Sequence, residues 1–178
     1  TEGKGLVLFT SYSMLTAVYE LVKDDFVNAG ITLYKQGDNE NKKLLESFRF
    51  DCNSVLFATD SFWEGVDSPG ETLSVLIICR LPFKVPTDPV VKARMEAIEK
   101  NGGNSFMQYS LPEAVIKLRQ GFGRLIRSSS DRGIVLITDS RIITKFYGKT
   151  FLASLPETRR YFGSSGRIIE NIENFLYP

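Results

Sequence analysis

The stretch Gln120 to Arg127 reads QGFGRLIR, and its residue types suit one ligand above others. The surrounding apolar residues (Leu111, Val115, Ile116, Leu118, Phe122, Leu125 and Ile126) recur at helical spacing, with Pro112 suited to a first helical position. On a helix, Gln120, Arg124 and Arg127 project from one face. Two guanidiniums and an amide match a phosphate, whose oxygens accept charge-assisted and often bidentate hydrogen bonds. Lys117, Arg119 and Arg132 add positive charge nearby. Gly121 and Gly123 each cost about 1 kcal/mol against alanine in a helix interior. A merely solvated basic face gains nothing from them, so they read as places where a backbone or ligand comes close.

A second cluster is TDSFWEGVDSPG, from Thr59 to Gly70. Glu64 and Asp67 form a carboxylate pair of the kind used in acid–base work, yet the chain contains no histidine to partner them. Ser61 can cap a turn, and Gly65 permits close backbone approach. Trp63, the only tryptophan, suits packing or base stacking, and its type does not decide between them. GKT at Gly148 to Thr150 imitates the end of a P-loop, but position 143 is isoleucine where the motif needs glycine. There is no DExH or DExD box. The residues thus point to phosphate binding without a complete ATP and Mg²⁺ site.

The elements that must position these groups are legible as alternating apolar runs and amphipathic stretches. GLVLFT, ITLYKQ, SVLFATD, LSVLIICR and GIVLITD read as strands, and their near-continuous Val/Ile/Leu content suits a parallel sheet covered on both faces. SMLTAVYELVKDDF, NKKLLESFRF and Asp88 to Lys100 read as helices. The expected fold class is α/β, with a mostly parallel sheet between helical layers. Polar clusters then fall beyond the carboxyl ends of the strands, where such sheets bind ligands: Ser11 and Tyr12, Gln36-Gly37, Thr59 onward, RLPF and TDSR. A chain of 178 residues makes one domain, 1–178, with about 84–111 an insertion or rim and 156–178 a helical tail. Lys plus Arg is 22 against 21 Asp plus Glu, so polyanion binding has to come from local patches. Cys52 and Cys79 sit among apolar residues and read as buried thiols, too few for an iron–sulfur cluster. No apolar run approaches the roughly 18 residues of a membrane span, and the default compartment is cytoplasmic.

LVLFTSY, ATDSFWEGVDSPG and QGFGRLIRSSSDRG, in this order, resemble motifs IV, V and VI of superfamily 2 helicases. More narrowly, SFWEGVD, RLPF with the following prolines, QGFGRLIR and the DSRI…KFYG…SLP run resemble the DinG/XPD-like branch, with bacterial DinG the closer match. The resemblance implies a RecA-like three-layer α/β/α fold and the second motor domain of an ATP-dependent DNA helicase. It implies Arg127 as the arginine finger on the γ-phosphate, Arg124 as its neighbour and Gln120 as a nucleotide sensor. Glu64, Gly65, Asp67 and Gly123 would line the ATP side. Thr10, Ser11, Tyr12, Thr59 and Ser61 would touch the backbone of single-stranded DNA. ATP and Mg²⁺ would be held mainly by a first motor domain of the same parent chain, which carries the Walker A and DEAH motifs in this family. An iron–sulfur cluster would belong to the parent and not to this chain. Without that first domain, the chain is expected to be inactive. Two other readings remain: a standalone RecA-like binding module, and a small nucleotide-binding enzyme complete in itself.

Overall fold

A computed structural model describes residues 3–59, 62, 73–85, 87–125 and 132–177. Its centre is a five-stranded sheet in the order β2-β3-β1-β4-β5, from β1 (Gly5–Leu8), β2 (Thr32–Lys35), β3 (Ser54–Ala58), β4 (Val75–Ile78) and β5 (Ile134–Ile137). Every neighbouring pair is parallel, with Leu6 opposite both Leu56 and Leu76, and Leu76 opposite Val135. The apolar runs explain this: a strand buried on both faces needs no polar alternation.

Successive side chains on β1 separate two cores. Leu6 and Leu8 join Leu56, Leu76 and Ile78 on one face, under Leu44 and Phe48 of α2 (Asn41–Phe50), Leu118 of α4 (Leu111–Leu125) and Phe151 of α6 (Gly148–Ser154). Val7, Phe9 and Phe57 point the other way, against Leu15 and Val18 of α1 (Tyr12–Asn28). The result is the expected three-layer α/β/α arrangement.

Local chemistry sets the helix ends. Ser11 Oγ accepts from Met14 N at 3.3 Å to cap α1, and Asp88 Oδ1 accepts from Val90 N and Val91 N to cap α3 (Pro89–Lys100). Gly30 (φ +68°) closes α1 in the left-handed conformation. Beyond β5 lie α5 (Arg141–Thr144), α6 and α7 (Ser165–Leu176).

The helix carrying Gln120 does not begin at Pro112. A π-helical turn, Phe106–Ser110, runs directly into Leu111, whose N–H reaches back to Phe106 O. Proline has no N–H to give the preceding turn, and the wider π register sits just before it. The two thiols also differ from expectation. Cys52 is exposed, because it occupies the turn between α2 and β3 that Asp51 Oδ1 closes on Asn53 N at 3.0 Å. Cys79 is half-buried, and burial pushes its thiol up to about 11.

Candidate functional site

The carboxyl ends of β1, β2 and β3 are tied into one unit. Gln36 N donates to Phe57 O at 2.9 Å, extending the ladder past β2. The Gln36 side-chain oxygen then accepts from both Thr59 N at 2.6 Å and Thr59 Oγ1 at 2.9 Å. Tyr12 Oη donates to Gln36 O at 3.0 Å. Gly37 (φ +102°) lets the turn pass beneath the Tyr12 hydroxyl, where any Cβ would collide. Thr10, Ser11, Tyr12 and Thr59 are therefore neighbours on one rim, although Tyr12 and Thr59 already donate to Gln36. Phe62, inserted in the core at 2 % exposure, donates its N–H to Thr59 O. Ser61, Glu64, Gly65 and Asp67 lie outside the described residues, as does Trp63.

The same rim continues across β4 and β5. Asp139, 8 % exposed, accepts from Leu81 N at 2.9 Å and from Arg141 through Nε and the terminal nitrogen, the latter at 2.6 Å. Burial disfavours the Asp139 charge. The Arg141 guanidinium, the Leu81 N–H and the Arg141 N–H outweigh it and hold the carboxyl below its ordinary value. The Arg141 guanidinium also lies 5.6 Å from the Phe83 ring centroid. RLPF and TDSR are thus clamped together, beside a polar recess of about 360 Å³ that includes Cys79, Arg80 and Thr138.

Gln120 and Arg124 belong to a different end of the sheet. Helix α4 starts near the carboxyl end of β4, where Glu113 meets Lys84 at 2.7 Å. It finishes at the amino end of β5, where a Cβ on Gly133 would stand only 2.7 Å from Leu125 Cδ1. From Glu113 to Arg124 the helix rises about 16 Å. The strand-end hydroxyls and the Gln/Arg face are consequently at opposite ends of the sheet. Gln120 and Gly123 are exposed and Arg124 is half-buried, while Phe122 and Leu125 face the core. A Cβ on Gly123 would meet nothing within 4 Å, so the fold makes no demand for glycine there. Gly121, by contrast, is buried and does not line that face.

Arg127 lies outside the described residues. Lys117 is not part of the surface cation array: at 8 % exposure it sits within the stripe Ala114, Lys117, Leu118, Gly121, Phe122, Leu125. That stripe follows the spacing of a buried face, which is the signal that could have placed Lys117. Arg132 turns toward the tail, 5.8 Å from the Phe175 ring centroid. The GKT sequence is no phosphate cradle. Gly148 opens α6 after the α5 turn, and a Cβ there would overlap the Ile142 carbonyl.

The model of a family described as the helicase C-terminal domain matches residues 1–158. The ATP-dependent DNA helicase YoaA of Haemophilus influenzae is 46 % identical over 159 residues, which cover 89 % of this chain and 24 % of that protein. The 3'-5' exonuclease DinG of Bacillus subtilis is 45 % identical over 159 residues, covering 88 % of this chain and 17 % of that protein. The chain therefore spans between about a sixth and a quarter of the length of these relatives. Among solved structures, an apo XPD superposes with a TM-score of 0.61 at 19 % identity, over 90 % of this chain and 33 % of that one. This last likeness concerns the fold.

Proposed function

The chain belongs to the helicase C-terminal domain family, in its DinG/XPD-like branch, and from that premise we propose that it is the second RecA-like motor domain of a longer ATP-dependent DNA helicase. Residues 84–111 act as a rim, and 156–178 form an appended tail; the family match ending at residue 158 supports the second assignment.

The observation that carries this reading is the separation of two polar surfaces on one rigid sheet. Gln120 and Gly123 are exposed at the amino end of β5 beside the half-buried Arg124, a surface suited to half of an interdomain nucleotide site. Its donors are of the type that stabilises charge on a phosphoryl group. Arg127, three residues further along the sequence, is the arginine finger, which supplies charge to the transferring phosphate once the domains close. Gln120 senses the nucleotide, and Glu64, Gly65 and Asp67 line the same side. On this reading ATP and Mg²⁺ are held mainly by the first motor domain.

At the opposite end, Thr10, Ser11, Tyr12, Thr59 and Ser61 form the track for single-stranded DNA. Hydroxyl and main-chain contacts to a sugar–phosphate backbone position a strand without reading its bases. ATP-driven closure at one end, transmitted through the sheet, shifts the strand at the other as a two-state hinge motion.

Replacing Arg127 tests the assignment directly. In the longer protein that contains this chain, Arg127→Ala is expected to cut ATP turnover by at least about 10³-fold, as loss of a finger does in other phosphoryl-transfer systems. Strand affinity should stay near its original value. Near-normal turnover in that variant would remove the finger assignment.

A further inference from the structure

The recess of about 360 Å³ at the carboxyl ends of β4 and β5 has no part in the roles above. Two guanidiniums, Arg80 and Arg141, and one carboxylate, Asp139, line it, which leaves one positive charge in excess. The carboxylate is satisfied within the fold. Asp139 Oδ1 accepts from Arg141 N and Nε, and Oδ2 from Leu81 N and the Arg141 terminal nitrogen. Arg141 therefore matches Asp139, and Arg80 carries the surplus. Arg80 is exposed and enters none of the ion pairs among the described residues. Cys79, which also lines the recess, adds no negative charge at neutral pH, because burial pushes its thiol up to about 11.

Two hydroxyls complete the lining. Thr138 Oγ1 donates to Cys79 O at 3.0 Å, so its hydrogen is taken. Ser140 is exposed, and Thr144 Oγ1 donates to its carbonyl, leaving its own hydroxyl without a partner among the described residues. A hydroxyl hydrogen and an unpaired guanidinium lining one recess suit the oxygens of a phosphate. We propose that Arg80 and Ser140 form a subsite for a backbone phosphate of single-stranded DNA, extending the strand track across β4 and β5. This rests on the reading that the strand crosses the carboxyl ends of the sheet. The rim is continuous there: Phe9 N donates to Ala58 O at 2.9 Å, Cys79 N to Leu8 O at 3.1 Å and Thr138 N to Ile78 O at 3.1 Å. β5 stands two strand spacings from β1, about 10 Å, so one strand can touch both. Gln120 and Arg124 lie at the other end of the sheet, which separates this subsite from the nucleotide's phosphates.

A salt titration separates the charge of Arg80 from packing. Binding of a fluorescent oligothymidylate to the longer protein that contains this chain, without nucleotide, is followed between about 0.05 and 1 M salt. Each phosphate neutralised on a single strand contributes about 0.7 to the slope of log affinity against log salt. Arg80→Gln is expected to make that slope shallower by about 0.7. Binding is then about eightfold weaker at the low-salt end and converges with the unsubstituted protein near about 1 M. Arg80→Lys should restore the slope, since an ammonium also neutralises a phosphate. Ser140→Ala, which removes a neutral donor, should weaken binding and leave the slope unchanged.

An unchanged slope in Arg80→Gln overturns the subsite, even where binding weakens by one factor at every salt concentration, because the side chain then acts through packing. A slope that Arg80→Lys does not restore overturns it too. An unchanged Kd in Ser140→Ala removes the hydroxyl from the assignment. Hydrogen exchange on the same protein distinguishes these failures from failure of the strand track. Protection by the oligonucleotide at Thr10–Tyr12, with an unchanged slope in Arg80→Gln, leaves the track standing without the subsite. Protection at neither Thr10–Tyr12 nor Thr138–Arg141 removes the track and the inference with it. Inorganic phosphate supplies the last arm. If Arg80→Gln weakens its binding while the oligothymidylate slope stays unchanged, the recess serves a free anion and the strand assignment falls.

Discussion

Gly123 shows how a single position can work against stability. It lies inside α4, where glycine costs about 1 kcal/mol relative to alanine, and no neighbour fills the space a Cβ would take. Gly123→Ala should therefore raise unfolding stability by about 0.5–1 kcal/mol in a urea titration. In the longer protein it should also lower ATP turnover, because the methyl group stands between Gln120 and Arg124. A stabilised variant with full turnover would show that the open face is not used. Asp139 works in the other direction. Its depressed carboxyl contributes stability that is complete above the ordinary aspartate value near about 3.9 and is lost as pH falls through the lower folded value. Asp139→Asn should cost about 1.5–3 kcal/mol at neutral pH, the range for hydrogen bonds to charged groups. It should also flatten the acid limb of stability against pH below about 4. The thiols offer a third check: exposed Cys52 should react with a thiol reagent at pH 8 well before Cys79, whose burial raises it to about 11.

At the scale of elements, the strands were readable because continuous apolar runs have one good use, burial on both sides of a parallel sheet. Asp88 followed by Pro89 marked the start of α3 for an equally physical reason, a side-chain acceptor beside a residue that needs no donor. The failures came where local pattern and tertiary demand diverge. Pro112 reads as a helix start, yet the helical path enters it from a π turn, an event without a composition cue. Cys52 has apolar neighbours in sequence, but the Asp51–Asn53 turn places it at a tip. The strand-end clusters were legible as a group, Gln36 among them, whereas the hydrogen bonds that join Gln36 to Thr59 and Tyr12 were not, since β2 and β3 meet only through the sheet. Gly148 illustrates the element-level constraint best. A phosphate loop would tolerate no Cβ because of its ligand; here the α5 turn itself excludes one. Gly148→Ala should destabilise the chain by about 1–3 kcal/mol, the usual cost of overpacking, when followed by thermal or urea unfolding. Full stability would contradict the packing described.

Across the whole molecule, one sheet carries the Gln120–Arg124 face at one end and the Thr10–Tyr12–Thr59 rim at the other. Two cores, one on each side of the sheet, tie both surfaces to the same strands. On the proposed reading this body is a relay between nucleotide and strand. In the proposed function Gln120 and Arg124 meet a nucleotide's phosphates, while ATP and Mg²⁺ are held mainly by the first motor domain. The proposed division of labour makes catalysis a property of two domains and strand positioning a property of this one. The most direct measurement is ATP turnover by the 178-residue chain alone, with and without single-stranded DNA. The account predicts no turnover above the buffer background in either condition. Turnover that rises in proportion to chain concentration and disappears in Arg127→Ala would contradict it, because the chain would then hold a complete ATP site of its own.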